Sequence, residues 1–170
     1  ADTARLPYGD KTPAEIRVIA QELVNWLCLQ DVSAILVACN TTNSLAFDLV
    51  QNNPLKVPVF GLISSAAQML SRKRVGVIAT PATIKSNAYK KQILALHPDS
   101  YVFQQPCPDF VPLIEAGKLN SEETKVIVLK SLSPMLEKGV EEIILGCSHY
   151  PLIEPLLHEI LPSYVRLLDP

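Results

Sequence analysis

The sequence predicts an α/β protein built as two small doubly wound domains, each a parallel sheet flanked by helices, with a ligand cleft between them. Three observations carry that expectation. Short β-branched runs alternate with stretches of helical spacing along most of the 170 residues, the pattern of parallel strands joined by crossover helices. Two of the runs end in a cysteine that opens onto a polar turn: Ile35-Leu36-Val37-Ala38-Cys39-Asn40-Thr41-Thr42 and Ile143-Ile144-Leu145-Gly146-Cys147-Ser148-His149. A complete set of other strand and helix units separates these two, which suggests domains over residues 1–63 and 64–170 with a boundary near 62–66.

Taken in order, the helical spacing of Ile16, Ile19, Ala20, Leu23, Val24 and Leu27 begins near Pro13, a residue suited to a first helical turn. A strand follows at 34–38 and a helix at 44–52. Residues 57–63 read as a second strand, in which Pro58 lacks a ladder donor and marks a start or a bulge. A short helix at 65–71, a strand at 75–79 and a helix at 83–96 come next. Residues 101–103 give a weaker strand, 106–112 an irregular proline-rich stretch, 121–138 a long helix, 141–145 a strand and 151–161 the helix after the second cysteine. The first helix starts late and the last apolar run, from Val165 to Leu168, has nothing after it to cover it, so the chain reads as a piece of something longer.

Composition narrows the function. With 48% hydrophobic and 19% charged residues the chain is of the folded, globular kind. Fifteen Lys and Arg against seventeen Asp and Glu leave a formal charge of −2 without long like-charge blocks, so neither a nucleic-acid nor a membrane-surface partner is indicated. No apolar run approaches the roughly 18 to 20 residues of a membrane span, and residues 1–15 lack the start of a signal peptide. A cytoplasmic protein with a small-molecule ligand is expected. Cys28, Cys39, Cys107 and Cys147 are widely spaced in a chain with ample core and read as reduced thiols.

In open α/β sheets ligands sit outside the carboxyl ends of the strands, where Cys39 and Cys147 are expected. A thiol at a helix N-terminus feels unsatisfied amides and the positive end of the dipole, which favour the thiolate. The same donors suit a carboxylate, and Asn40, Thr41, Thr42, Ser148 and His149 add side-chain donors. Free cysteine is more often core than catalyst, and Cys28 and Cys107, in other settings, are read as structural; it is the repeated setting that sets the other two apart. A zinc site is poorly supported, because Cys147 and His149 stand one residue apart with no CxxC, whose absence also counts against thioredoxin-like chemistry. A Cys-His hydrolase using His149 or His158 stays open but leaves one cysteine unexplained. His97 and His158 read as solvated. Neither GxGxxG nor GxxxxGK[ST] occurs, so no nucleotide cofactor is indicated. Thr80 and Thr83 are either caps or carboxylate donors, and Glu115 alone reads as a solvated helix end.

Asp2-Thr3-Ala4-Arg5 with Pro7-Tyr8-Gly9, then Ala38-Cys39-Asn40-Thr41, Thr80 and Thr83, Phe110-Val111-Pro112-Leu113-Ile114-Glu115, and Gly146-Cys147-Ser148-His149-Tyr150-Pro151 together resemble the ordered motifs of the glutamate racemases, within the cofactor-independent aspartate/glutamate racemases. The resemblance spans essentially the whole chain. Aspartate racemases typically carry Glu where His149 stands, which favours glutamate. It implies an isomerase, free of pyridoxal phosphate and any other cofactor or metal, that inverts Cα with one thiolate and one thiol on opposite faces. Cys39 and Cys147 would be those groups, with His149 assisting Cys147 and Glu115 orienting His149. Asn40, Thr41 and Ser148 would hold the α-amino and α-carboxylate end, while Tyr8, Gly9, Thr80 and Thr83 would surround the side-chain carboxylate. D-glutamate for bacterial peptidoglycan, and so for cell wall and cell shape, would be the product; a homodimer is compatible with the family.

Two departures from the family stand out. Ser148 replaces the usual Thr and keeps the hydroxyl. The strand ending in an Asp-Ser pair, with which family members begin and whose Asp assists the first cysteine, has no counterpart here, nor do the helices with which they end. Rival readings are a racemase for another amino acid or a hydantoin, and a non-catalytic carboxylate-binding module.

Overall fold

The computed structural model describes residues 2–170. Helix α1 (Pro13–Cys28) starts with a capping box: the Thr12 hydroxyl accepts from the Glu15 amide while the Glu15 carboxylate accepts from the Thr12 amide, and Pro13 needs no donor in the first turn. Its inward face buries Ile16, Ile19, Ala20 and Val24. Strand β1 (Ile35–Val37) runs parallel to β2 (Val59–Gly61), with Ile35 opposite Val59 and Val37 opposite Gly61. Between them lies α2 (Asn40–Gln51), and Ala46 and Val50 from its inner face close a core with Ile16, Ala20, Val24, Ile35 and Val37.

A second sheet has the order β4-β3-β5-β6, all parallel: β3 (Arg74–Ala79), β4 (Tyr101–Pro106), β5 (Glu142–Gly146) and β6 (Arg166–Leu168). Beyond their first residues, Arg74 and Glu142, its central strands are apolar because both faces are covered. Val75, Val77, Ala79 and Ile144 pack on α3 (Leu62–Met69) and α5 (Ala88–Leu96), which contribute Ile63, Ala66, Ala67, Tyr89 and Ile93. Ile78, Ile143 and Leu145 face the other way, onto Phe110 of α6 (Phe110–Glu115), Val128, Leu132 and Met135 of α7 (Glu122–Glu137), and Leu156 and Leu157 of α8 (Glu154–Ile160). Helix α4 (Pro81–Ser86) follows β3 directly. From β3 the chain crosses to β4 on one side, and β5 joins on the other, so the strand order reverses at β3 and β5, where a crevice opens beyond their carboxyl ends.

The structure confirms the α/β class with parallel sheets and shifts several elements. Helix α2 begins at Asn40, not residue 44, and α3 begins at Leu62, directly after β2. The helix expected at 83–96 is two helices, because Asn87 takes a left-handed conformation (φ 57°) that an asparagine tolerates. Strand β4 is twice its expected length, since the full run of β3 offers it partners from Arg74 to Ala79. Part of the proline-rich stretch is helical: Pro112 sits in the first turn of α6, where its missing N–H costs no bond. The stretch after Cys147 opens as a 3₁₀ turn, Tyr150–Ile153, before α8. The last apolar run is the paired strand β6. His97 is half-buried, with Nε2 2.9 Å from the Ala67 carbonyl oxygen, rather than solvated; His158 is exposed as expected. Among the described residues no helix is long and apolar enough to cross a membrane.

At the amino ends of β5 and β6 the fully buried Glu142 carboxylate accepts from the amides of Ser71 (2.9 Å) and Arg72 (3.2 Å) and pairs with Arg166 at 3.0 Å. Removing that carboxylate leaves two partly exposed amides and the half-exposed Arg166 to water but empties a fully buried polar site, so Glu142→Ala should cost about 2 kcal/mol in a urea titration. A loss below about 1 kcal/mol would mean that water replaces the carboxylate without penalty.

Candidate active site

Strand β1 ends two residues before Cys39, which is the N-cap of α2, a twelve-residue helix kinked at Ala46: the Cys39 carbonyl accepts from the Asn43 amide at 2.8 Å. Asn40, Thr41, Thr42 and Asn43 form the first turn and are all buried. Cys147 directly follows β5, two residues before the cap of the next turn, His149, and is almost wholly buried. Both cysteines line one cavity of about 600 Å³, roomy for a small amino acid. Tyr8, Gly9, Asn40 and Thr41 line it from the Cys39 side; Thr80, Ser148 and His149 do so from the other.

Three hydroxyls form a closed triangle behind one wall, with Thr41 3.0 Å from Thr80 and 3.3 Å from Thr83, and Thr80 3.1 Å from Thr83. Thr80 reaches the cavity, whereas Thr83 is buried behind it and acts on the wall through the other two. Gly9 comes so near that a Cβ there would lie 2.8 Å from the Thr80 methyl, so a bare backbone is what the approach permits. The Tyr8 hydroxyl is already engaged: it donates to Asp2 at 2.7 Å, and Asp2 also accepts from Arg5. Those contacts, that of Tyr8 foremost, hold the Asp2 carboxyl below its usual range, and burial pushes the Tyr8 hydroxyl up. Tyr8 therefore offers the cavity its ring.

The two thiols sit in different surroundings. Burial pushes Cys147 up to about 12, against the pull of the His149 and Tyr150 amides. The expectation of a thiolate-favouring setting at both cysteines fails here: a short 3₁₀ turn supplies less dipole than a long helix, and desolvation wins. Beside Cys147 stands His149, with Nδ1 3.8 Å from the sulfur and Nε2 2.6 Å from Glu115 Oε1. An ionised carboxylate only accepts, so Nε2 carries the proton and the Nδ1 lone pair faces the thiol when the ring is neutral. Glu115 does not touch the cavity; it orients the residue that does.

Cys107, read from the sequence as structural, also lines the cavity, and burial pushes it up to about 12. It directly follows β4, so it too lies at a strand's carboxyl end; truncating β4 at residue 103 hid this. Nothing local in the sequence singles out Asn43. Its Oδ1 accepts from the Ile63 amide at 2.9 Å and fixes α3 against the first turn of α2. Among the described residues no three His, Cys, Asp or Glu side chains gather as a metal ion would require.

Residues 1–170 match the family model for Asp/Glu/hydantoin racemases. The chain is 51% identical over 170 residues to a glutamate racemase of Prochlorococcus marinus (strain NATL2A) and 53% identical over 169 residues to one of Synechococcus sp. (strain CC9605). These alignments cover 100% and 99% of this chain but 64% and 63% of the relatives, so it spans a little under two thirds of their length. The crystal structure of glutamate racemase from Francisella tularensis subsp. tularensis SCHU S4 in complex with D-glutamate superposes with a TM-score of 0.93 at 40% identity, covering 98% of this chain and 63% of that one.

Two measurements test the thiol environments. At neutral pH iodoacetamide should label Cys147 on the order of 10² to 10³ times more slowly than an unhindered thiol of ordinary pKa, read by peptide mass spectrometry. Labelling at the ordinary rate would show that burial does not control this sulfur. Because the folded thiol is raised, its stabilising contribution is whole below about pH 8.5 and is lost as pH climbs toward about 12. Cys147→Ser should flatten that part of the stability profile; an unchanged slope would assign it to other groups.

Proposed function

The chain belongs to the Asp/Glu/hydantoin racemase family, and on that premise we propose that it carries the reaction centre of an enzyme interconverting L- and D-glutamate without a cofactor. The observation that carries the reading is the pair of thiols on one cavity, Cys39 after β1 and Cys147 after β5, each delivered by a different sheet. Residues 1–63 and 64–170 act as two domains, each giving one thiol. Inversion at Cα needs a proton removed from one face and another delivered to the opposite face, because a single base tends to return what it took.

Glutamate lies with Cα between the sulfurs. Asn40, Thr41 and Ser148 hold the α-amino and α-carboxylate end, and Gly9, Thr80 and the Tyr8 ring enclose the side-chain carboxylate. Cys39, at the positive end of α2, removes the α-proton as the thiolate. Cys147, kept protonated by burial, gives its proton to the other face, which leaves Cys39 as thiol and Cys147 as thiolate. In the opposite direction Cys147 starts as the thiolate and Cys39 as the thiol; free enzyme reaches that form when the Nδ1 lone pair of His149 takes the Cys147 proton, Glu115 stabilises the imidazolium, and water protonates Cys39. Fixed amide and hydroxyl donors around the α-carboxylate stabilise the carbanion-like transition state. D-glutamate made this way in the cytoplasm supplies peptidoglycan synthesis.

Proton NMR of each enantiomer in D₂O, without added cofactor, is the direct test. The α-proton of both should be lost, with inversion. Cys39→Ser and Cys147→Ser should each lower inversion by about 10³-fold or more, while each variant retains exchange of one enantiomer only, opposite in the two. Exchange that stays equal for both enantiomers in either variant would exclude a two-base mechanism. Glu115→Gln should reduce the rate by about tenfold, since the ring loses its orienting anion. An unchanged rate would leave Glu115 a solvated residue.

A further inference from the structure

Tyr89 is buried to 1% exposure, yet its hydroxyl donates at 2.5 Å to Oδ1 of Asn40, 49 residues away in sequence. Asn40 follows Cys39 and lines the cavity. With Oδ1 occupied, the amide nitrogen Nδ2 finds no acceptor among the described residues, and it is not a fully buried, unpaired atom. Two N–H donors are thus left for whatever fills the cavity. Burial also raises the tyrosine hydroxyl, so it stays a donor at any working pH.

The same end of the Tyr89 ring lies against the second cysteine's strand. A Cβ built on Gly146, the residue before Cys147, would lie 3.3 Å from Tyr89 Cε2. One aromatic side chain therefore touches the neighbours of both thiols, and no other described hydrogen bond reaches Asn40's side chain. The left-handed Asn87 makes this possible: by ending α4 and restarting the helix at Ala88, it turns Tyr89 inward between the two turns.

The geometry points to Tyr89 as a positioning residue: it locks the Asn40 carboxamide with Nδ2 turned toward the substrate's α-carboxylate and keys that setting to the backbone carrying Cys147. This rests on the reading of Asn40 as a carboxylate donor in a racemase. Without the hydroxyl, Asn40 can rotate or flip its amide and meet the carboxylate with its own oxygen. Tyr89→Phe keeps the ring and removes the clamp.

Two readouts on the protein decide it. The ¹⁵N–¹H signals of the Asn40 side-chain amide, assigned with Asn40→Ala, should shift and broaden in Tyr89→Phe while backbone amides away from the site stay in place. In racemisation kinetics Tyr89→Phe should lower kcat/KM by about 3- to 10-fold, the scale of one buried hydrogen bond. The double variant with Asn40→Ala should be no slower than Asn40→Ala alone. Unmoved Asn40 signals, or independent costs that multiply in the double variant, would overturn the proposal, because a merely packing tyrosine lowers the melting temperature without coupling to Asn40. If the unaltered protein fails to racemise glutamate, the racemase reading falls, and the Asn40 signals still decide whether Tyr89 sets that side chain.

Discussion

The parallel register between β3 and β5, which sets Ala79 beside Gly146, is the constraint on which the site depends. It brings the two strands so close at their carboxyl ends that a Cβ on Gly146 would lie 2.8 Å from the Ile78 carbonyl oxygen. Only the absence of a side chain lets β5 reach its last pairing and release Cys147 next to Thr80. From Thr80 the contact passes by hydroxyl to Thr41, and so to the turn that carries Cys39. A slip of one residue would send every apolar side chain of β5 to the wrong helices, so the double-sided core enforces the register.

Around that constraint the molecule gives similar backbone settings opposite chemistry. Both cysteines follow strands, but one caps an α-helix and the other leads into a 3₁₀ turn whose first residue, Tyr150, packs on Phe110. Desolvation then dominates at Cys147, and a neighbouring imidazole held by Glu115 offers the means to reverse it. Asymmetry of environment, rather than of residue type, is what sets these two identical side chains apart.

The alternation of strands and helices, the α/β class and the two cysteine turns were legible because each rests on a local pattern of apolar residues. What escaped was set by distant partners. Asn40, Thr41, Thr42 and Asn43 are poor helix formers in isolation, and they begin α2 because the side chains of Asn40, Thr41 and Asn43 bond to Tyr89, Thr80 and the Ile63 amide. Gln104, Gln105 and Pro106 look unlike a strand and become one because β3 presents a free edge of matching length. Glu115 lies 34 residues from His149, and no spacing rule joins them; only the family resemblance suggested the pair.

The Glu142 anchor and the Cys147 turn occupy opposite ends of the same five-residue strand. Thr80, Cys107 and Cys147 lie at the carboxyl ends, while Glu142, Arg166 and the Ser71 and Arg72 amides knit the amino ends together. Durability and chemistry are thereby housed on separate floors of one sheet. Sequence drift that reshapes the substrate wall can proceed while the lower floor holds the strands in place, and stabilising changes made below need not disturb the pocket above. Such a division leaves a lineage free to reshape its cavity without first gambling its fold.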